Sequence, residues 1–150
     1  MEFKEVKLDR LAEIADVNLK IFDGMYDWPP YYIDKYQEKF KDISPIIFVA
    51  EDCGKIVGDS IAFERDGKLY IWILGVLKEY RKHGVATELF NLTENYAREH
   101  GYKVVCVKVY NISQDMLKLV QSRGYKVVEV RKYDDHGKPQ YYANILELDI

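Results

Sequence analysis

The segment EYRKHGVATEL, residues 79–89, crowds Arg81, Lys82 and His83 against Gly84 and then turns apolar. The first amides of a helix have no partner within it, and the helix dipole ends positive there. Cationic side chains at the same place repel that end unless an anion is shared between them. Across residues 82–87 several N–H groups could converge on one such anion. Gly84 would let it approach the backbone, and Ala86 keeps the next turn small. Arg81, Lys82 and the Thr87 hydroxyl could add charge or hydrogen bonds. The dipole alone contributes about 0.3–1 kcal/mol, so the amide cluster must carry most of the binding. The alternative is a plain loop-to-helix junction with solvated basic residues, and the residues by themselves weigh the two equally. Neither G-x-x-x-x-G-K-[ST] nor G-x-G-x-x-G occurs, which removes a P-loop and a dinucleotide fingerprint. GDSI, residues 58–61, matches the nucleophile block of a class of serine esterases. It runs on as a strand into a hairpin, without a placed His partner, so the match is accidental.

The elements that must hold this turn follow from pattern. Residues 2–7 alternate like a strand. Asp9 is placed to cap a helix carrying Leu11, Ile14, Ala15, Leu19 and Phe22 on one face. DGMYDWPPYY breaks that helix, and Pro29 or Pro30 suits the first turn of the next, which runs to Phe40. PIIFVAED, KIVGDSIAFE and KLYIWILGV read as three strands joined by the glycine turns DCGK and RDGK. A helix over 84–99 carries Val85, Leu89, Leu92 and Tyr96, with Gly101 just past its end. YKVVCVKVY is a strand with Val105, Val107 and Val109 on one face. A shorter helix over 113–122 and two strands, YKVVEVRKY and YYANILELD, complete the chain. The order β-α-α-β-β-β-α-β-α-β-β implies an α/β fold, a mixed sheet with helices packed on it.

A chain of 150 residues without repeats or linkers is expected to be a single domain, 1–150. A formal net charge of -3 gives no global basic field, so no nucleic-acid partner is expected. The cysteines, Cys53 and Cys106, form neither a disulfide framework nor a metal-ligand spacing. No metal is expected, and a reduced, cytoplasmic setting fits. MEFKEVKLDR lacks the apolar core of a signal peptide. The longest apolar run, residues 69–77, is too short to span a bilayer, so no membrane partner is expected.

VLKEYRKHGVATELF resembles motif A of the GNAT N-acetyltransferase superfamily, whose core Q/R-x-x-G-x-G/A reads here as Arg81, Lys82, His83, Gly84, Val85 and Ala86. FVAEDCGKIVGDSIAF is similar to the family's second and third strands, including Gly58. SQDMLKLVQSRGYKVVE is similar to its motif B. The element order matches throughout. The resemblance implies acetyl-CoA as co-substrate, in a cleft where the fourth and fifth strands splay apart. Its pantetheine arm would pair with the backbone of Leu74, Gly75 and Val76, and its pyrophosphate would sit on the amides of residues 82–87. Asn111 or Ser113 would meet the pantetheine, although either residue could instead simply cap the helix that follows.

In that family a free amine attacks the thioester, helped by a base, and a tyrosine commonly protonates the departing thiolate. The three positions that usually carry these groups hold Trp72, Lys108 and Val120 here. Tyr110 or Glu64 could supply them from elsewhere, the acceptor could need little help, or the protein could bind coenzyme without fast chemistry. A lysine-like amine of pKa about 10.4 costs about 4 kcal/mol to deprotonate near neutrality, and an α-amine near 8 far less. A site without a recognised base therefore suits an α-amine or another weakly basic acceptor. Between the first two helices lie Tyr26, Trp28, Tyr31, Tyr32 and Tyr36 with Asp23, Asp27 and Asp34, where the family usually builds its acceptor pocket. Aromatic faces and carboxylates attract cations, which suits a polyamine or a peptide amino terminus. Tyr36 is expected to pack on the sheet. Tyr26, Trp28, Tyr31 and Trp72 are the acceptor-side candidates. The expected function is acetyl transfer to a primary amine, with a non-catalytic acyl-CoA binding or sensing domain as the rival. Exposed aromatic surface is compatible with a homodimer.

Overall fold

The computed structural model describes residues 1–26, 29–132 and 140–150. The strands are β1 (Glu2–Val6), β2 (Ile46–Asp52), β3 (Lys55–Arg65), β4 (Lys68–Val76), β5 (Val104–Tyr110), β6 (Lys126–Lys132) and β7 (Tyr142–Asp149). The helices are α1 (Leu11–Ile21), α2 (Ile33–Lys39), α3 (Val85–Glu99) and α4 (Gln114–Ser122). The seven strands lie in the order β1-β2-β3-β4-β5-β7-β6. The mixed α/β architecture and the order of elements are those the sequence implies.

Two tight loops generate the middle of the chain. Cys53 and Gly54 both have positive φ, 51° and 80°, as do Asp66 and Gly67, 53° and 77°. Each two-residue loop therefore has the twist that joins antiparallel strands without splaying them. The chain gathers into two compact units, Met1–Phe63 with Trp72–Tyr96, and Glu64–Ile71 with Ala97–Ile150.

In the first unit β1 pairs antiparallel with β2, Val6 opposite Ile47, and β2 with β3, with a bulge at Ala50/Glu51. Ile14, Ile47, Val49, Ile61, Leu89 and Phe90 are fully enclosed. Asp9 does not cap α1. It lies within a 3-10 turn, Leu8–Arg10, and the helix starts after Arg10, where no side chain caps it. The later start places the Arg10 guanidinium 2.6 Å from both Glu13 and the buried Glu51. On α1 the buried face is Leu11, Ile14, Ala15, Val17, Asn18 and Ile21, so Leu19 and Phe22 fall at its margin. The prolines precede α2 by a few residues instead of opening it, since the helix starts at Ile33 with Tyr32 at its cap position. Leu92 and Tyr96 of α3 are half-buried, and Phe90, Thr93, Glu94 and Ala97 widen its buried face.

In the second unit β4 pairs parallel with β5 from Leu69↔Val105 to Ile71↔Val107. β7 runs antiparallel to β5 on one side and to β6 on the other. Val105, Val107 and Val109 are all buried, as their alternation requires. Strand β6 is exposed along its length, with Val127, Val128 and Val130 open to solvent. Its bulge at Val127/Glu129 and its charged residues are the usual means by which an edge strand resists further pairing.

Candidate functional site

Helix α3 begins on a turn whose backbone is bent for exposure. Lys82 and Gly84 sit in the left-handed region, φ 64° and 81°. That conformation costs a residue with a Cβ about 1–2 kcal/mol, so Lys82 carries local strain at this place. The first backbone bond of the helix runs from the Glu88 N–H to the Gly84 carbonyl, 3.1 Å. The amides of Val85, Ala86 and Thr87 therefore precede the helical ladder. Lys82, His83, Gly84 and Thr87 are exposed, while Val85 is buried and anchors the turn. A Cβ built on Gly84 would meet nothing within 4 Å. Glycine is there for its backbone angle, and the space in front of it is open.

The end of β4 is fixed just beneath. Gly58 of β3 brings three elements together, since a Cβ there would lie 3.1 Å from the Gly75 carbonyl and 3.4 Å from Val76 and Val85. Gly75 itself abuts α1. A Cβ on it would fall 2.6 Å from Ile21 Cγ2 and 2.9 Å from Phe22 Cζ. Gly75→Ala is therefore expected to destabilise the protein by about 1–3 kcal/mol through overpacking, read as a Tm drop of several degrees. An unchanged Tm would show that α1 yields freely. Leu74 and Val76 are buried by side chain. Arg81 Nε donates to the Val76 carbonyl, 2.9 Å, and its terminal nitrogen to the Ile21 carbonyl, 3.1 Å. Arg81 thus ties α1 and β4 to the turn, a bracing role that spacing did not reveal.

Trp72 is the centre of an aromatic cluster. Tyr31 stacks on it at 5.8 Å and 21°, Tyr36 and Phe40 meet it edge-on at 5.4 and 5.6 Å, and Phe63 lies at 6.4 Å. Lys39 Nζ lies over the Trp72 ring at 5.1 Å and over Phe63 at 5.5 Å, and Lys35 Nζ lies 5.5 Å from the Tyr31 ring. Tyr26 is half-buried, and Trp28 lies outside the described residues.

Behind this cluster is a polar network that the sequence reading missed. Asp59, Asn18 and Tyr36 are all buried. With the Asn18 amide turned to suit its neighbours, its nitrogen donates to Asp59 at 2.7 Å and its oxygen accepts from the Tyr36 hydroxyl at 3.1 Å. Burial pushes the Asp59 carboxyl up to about 8, with the Asn18 hydrogen bond opposing. Burial likewise raises Tyr36 well above an ordinary phenol. The available signal was an acid inside KIVGDSIAF, a strand apolar on both faces. Ser60, the would-be esterase nucleophile, is enclosed and bonded at 2.9 Å to Thr93, whose hydroxyl donates to the Leu89 carbonyl. That excludes it from such a role.

The second unit holds the remaining candidates. Tyr110 ends β5, with Lys108 Nζ 5.4 Å from its ring. Glu64 accepts from the Tyr102 hydroxyl at 3.1 Å. Neither Asn111 nor Ser113 caps α4 by side chain. Ser113 occupies the cap position without a side-chain cap bond, and Asn111 Oδ1 accepts from the Tyr142 N–H at 3.1 Å, latching the start of β7. Val120 is fully enclosed. Among the described residues no group of three or more His, Cys, Asp or Glu could hold a metal ion. No helix among them is long and apolar enough to cross a membrane.

A mixed sheet whose fourth strand is followed by a turn with left-handed backbone at Lys82 and Gly84 narrows the class of protein, and comparison with known proteins specifies it. The model of the acetyltransferase (GNAT) family matches residues 11–125. The chain belongs to that family. It is 32% identical over 71 residues to the probable N-acetyltransferase camello of Xenopus laevis, a match covering 47% of the chain and 32% of that relative's length. The ribosomal-protein-S18-alanine N-acetyltransferase of Escherichia coli superposes with a TM-score of 0.84 at 14% identity, over 99% of this chain and 93% of that one. A streptothricin acetyltransferase from Bacillus anthracis, solved with acetyl coenzyme A, superposes at 0.65 and 19% identity, over 71% and 63% of the two chains.

Proposed function

We propose that residues 1–150 form a single catalytic domain that transfers the acetyl group of acetyl-CoA to a primary amine of a small molecule, a polyamine or a peptide. The observation that carries this reading is the turn before α3, where Lys82 and Gly84 adopt left-handed backbone ahead of three amides outside the helical ladder. Membership of the GNAT family supports reading this turn as the seat of a pyrophosphate. Residues 82–87 would hold the pyrophosphate, the Leu74, Gly75 and Val76 backbone the pantetheine arm, and Asn111 or Ser113 would flank it. Acetyl-CoA supplies the activated acyl group. Tyr110 is the proposed acid for the departing thiolate and Glu64 the proposed base. Tyr26, Trp28, Tyr31 and Trp72 are proposed to face the acceptor. Free Cys53 and Cys106 support a cytoplasmic setting, and we expect no metal, membrane or nucleic-acid partner. Exposed Tyr32 and Tyr142 would suit a homodimer.

The rival is a non-catalytic acyl-CoA sensor. It is favoured by the three usual acid–base positions, which hold Trp72 inside an aromatic cluster, an enclosed Val120, and Lys108 over Tyr110. A thermal-unfolding series with acetyl-CoA, against adenosine diphosphate, tests coenzyme binding. Ligand at about 100 times its Kd adds about 2.7 kcal/mol, a rise of several degrees at this size. Thiol release with a panel of amines then separates the two readings. The enzyme gives amine-dependent turnover, and the sensor gives only slow hydrolysis. No shift at millimolar acetyl-CoA would overturn both.

A further inference from the structure

Resting on the acetyltransferase reading, we infer that Arg81 is a positioning residue for the acceptor side and not a phosphate ligand. It adjoins Lys82, His83 and Gly84, exposed residues of the turn proposed to hold the pyrophosphate. Its side chain runs the other way. Arg81 is half-buried, its Nε donates to the Val76 carbonyl at 2.9 Å, and a terminal nitrogen donates to the Ile21 carbonyl at 3.1 Å. Neither carbonyl belongs to the turn, since Val76 ends β4 and Ile21 ends α1.

The Ile21 carbonyl is among the last of α1, which a helix leaves without partners of its own. A continuing helix would bring the Met25 N–H to it, but that N–H bonds to the Phe22 carbonyl at 3.2 Å. Arg81, 60 residues further along the chain, donates in its place. A cation there also suits the negative end of the helix dipole. The same end of α1 meets β4 at Gly75, where a Cβ would fall 2.6 Å from Ile21 Cγ2. Glycine gives the close approach, and the planar guanidinium, bonded to both carbonyls, fixes how helix end and strand end lie together. Leu74, Gly75 and Val76 are the residues proposed to hold the pantetheine arm. The chain leaving α1 runs through Phe22 and Asp23 towards Tyr26 and Tyr31, proposed to face the acceptor. Arg81 therefore sets the start of the acceptor segment against the strand that carries the thioester.

The test compares the wild type with Arg81→Gln and Arg81→Lys, using acetyl-CoA and two acceptor probes, a short peptide with a free amino terminus and spermidine. Gln keeps a donor for one carbonyl, and Lys keeps the charge without the fork that spans both. Both variants are expected to lose several degrees of unliganded Tm and to bind acetyl-CoA within about threefold of the wild type. With whichever probe turns over, both raise the amine KM by about tenfold, the worth of one hydrogen bond from a charged group. A lower kcat at unchanged amine KM would mark a purely structural role and overturn the inference. So would weaker acetyl-CoA binding at unchanged amine KM, or full recovery in Arg81→Lys, because a phosphate accepts lysine as a point charge. A wild-type thermal shift with turnover of neither probe also overturns it and leaves coenzyme binding standing. Absence of that shift in the wild type overturns the acetyltransferase reading itself.

Discussion

Gly84→Glu is expected to abolish the acetyl-CoA thermal shift while the protein remains folded. The two halves of that outcome have separate causes. The cost to folding comes from the backbone, since φ at Gly84 is 81° and a side chain in that region is disfavoured by about 1–2 kcal/mol. Nothing lies within 4 Å of the new Cβ, so no steric cost is added. The unliganded Tm should fall by only a few degrees. The cost to binding comes from the ligand side. A carboxylate would project into the open space before the amides of Val85, Ala86 and Thr87, where a pyrophosphate is proposed to sit. It would take the dipole's favour for itself and repel the phosphates, a loss of at least about a hundredfold in affinity. Gly84→Ala separates the causes, because it carries the same backbone cost without charge. It should retain part of the shift. If Gly84→Glu binds acetyl-CoA as the wild type does, the pyrophosphate lies elsewhere.

Much of this turn was legible in the sequence because its physics is local. Gly84 after three basic residues and before an apolar helix face states the backbone conformation and the charge together. The hairpin turns DCGK and RDGK are legible for the same reason, since two adjacent residues with positive φ demand such chemistry. Asp9 misled because a polar residue before an apolar run is the ordinary signal of a cap. Here Arg10, reaching Glu13 and Glu51, decided where α1 begins. The Asn18–Asp59–Tyr36 network was not legible because its members come from α1, β3 and α2, and only folding brings them together. Arg81 was read for its charge, yet its guanidinium reaches backward to Ile21 and Val76.

Asp59→Asn is expected to remove a pH dependence of stability that the wild type shows between about pH 4 and pH 8. Asp59 is fully enclosed on β3, and burial raises its carboxyl from 3.8 to about 8, against a hydrogen bond from Asn18 that pulls the other way. In that window the native protein keeps a proton that the unfolded chain gives up. The native state then binds more protons than the unfolded state, so stability falls as pH rises. The group's contribution is whole below pH 3.8 and is lost as pH climbs through about 8, where the carboxylate must be charged inside the core. The loss accumulated over this window is on the order of 5 kcal/mol, which would lower Tm by roughly ten degrees or more. Asparagine mimics the protonated acid in shape and can still accept from the Asn18 amide nitrogen. The variant and wild type should therefore melt within a few degrees of each other at pH 5 and separate progressively towards pH 9, with the variant the more stable. The observable is the difference between the two Tm curves, because other titrating groups contribute equally to both. Parallel curves would mean that Asp59 is already charged at neutral pH, with the Asn18 hydrogen bond outweighing burial. In that case Asn18, and not the proton, holds Tyr36 against Trp72, and Asn18→Ala would be the substitution that loosens the aromatic cluster.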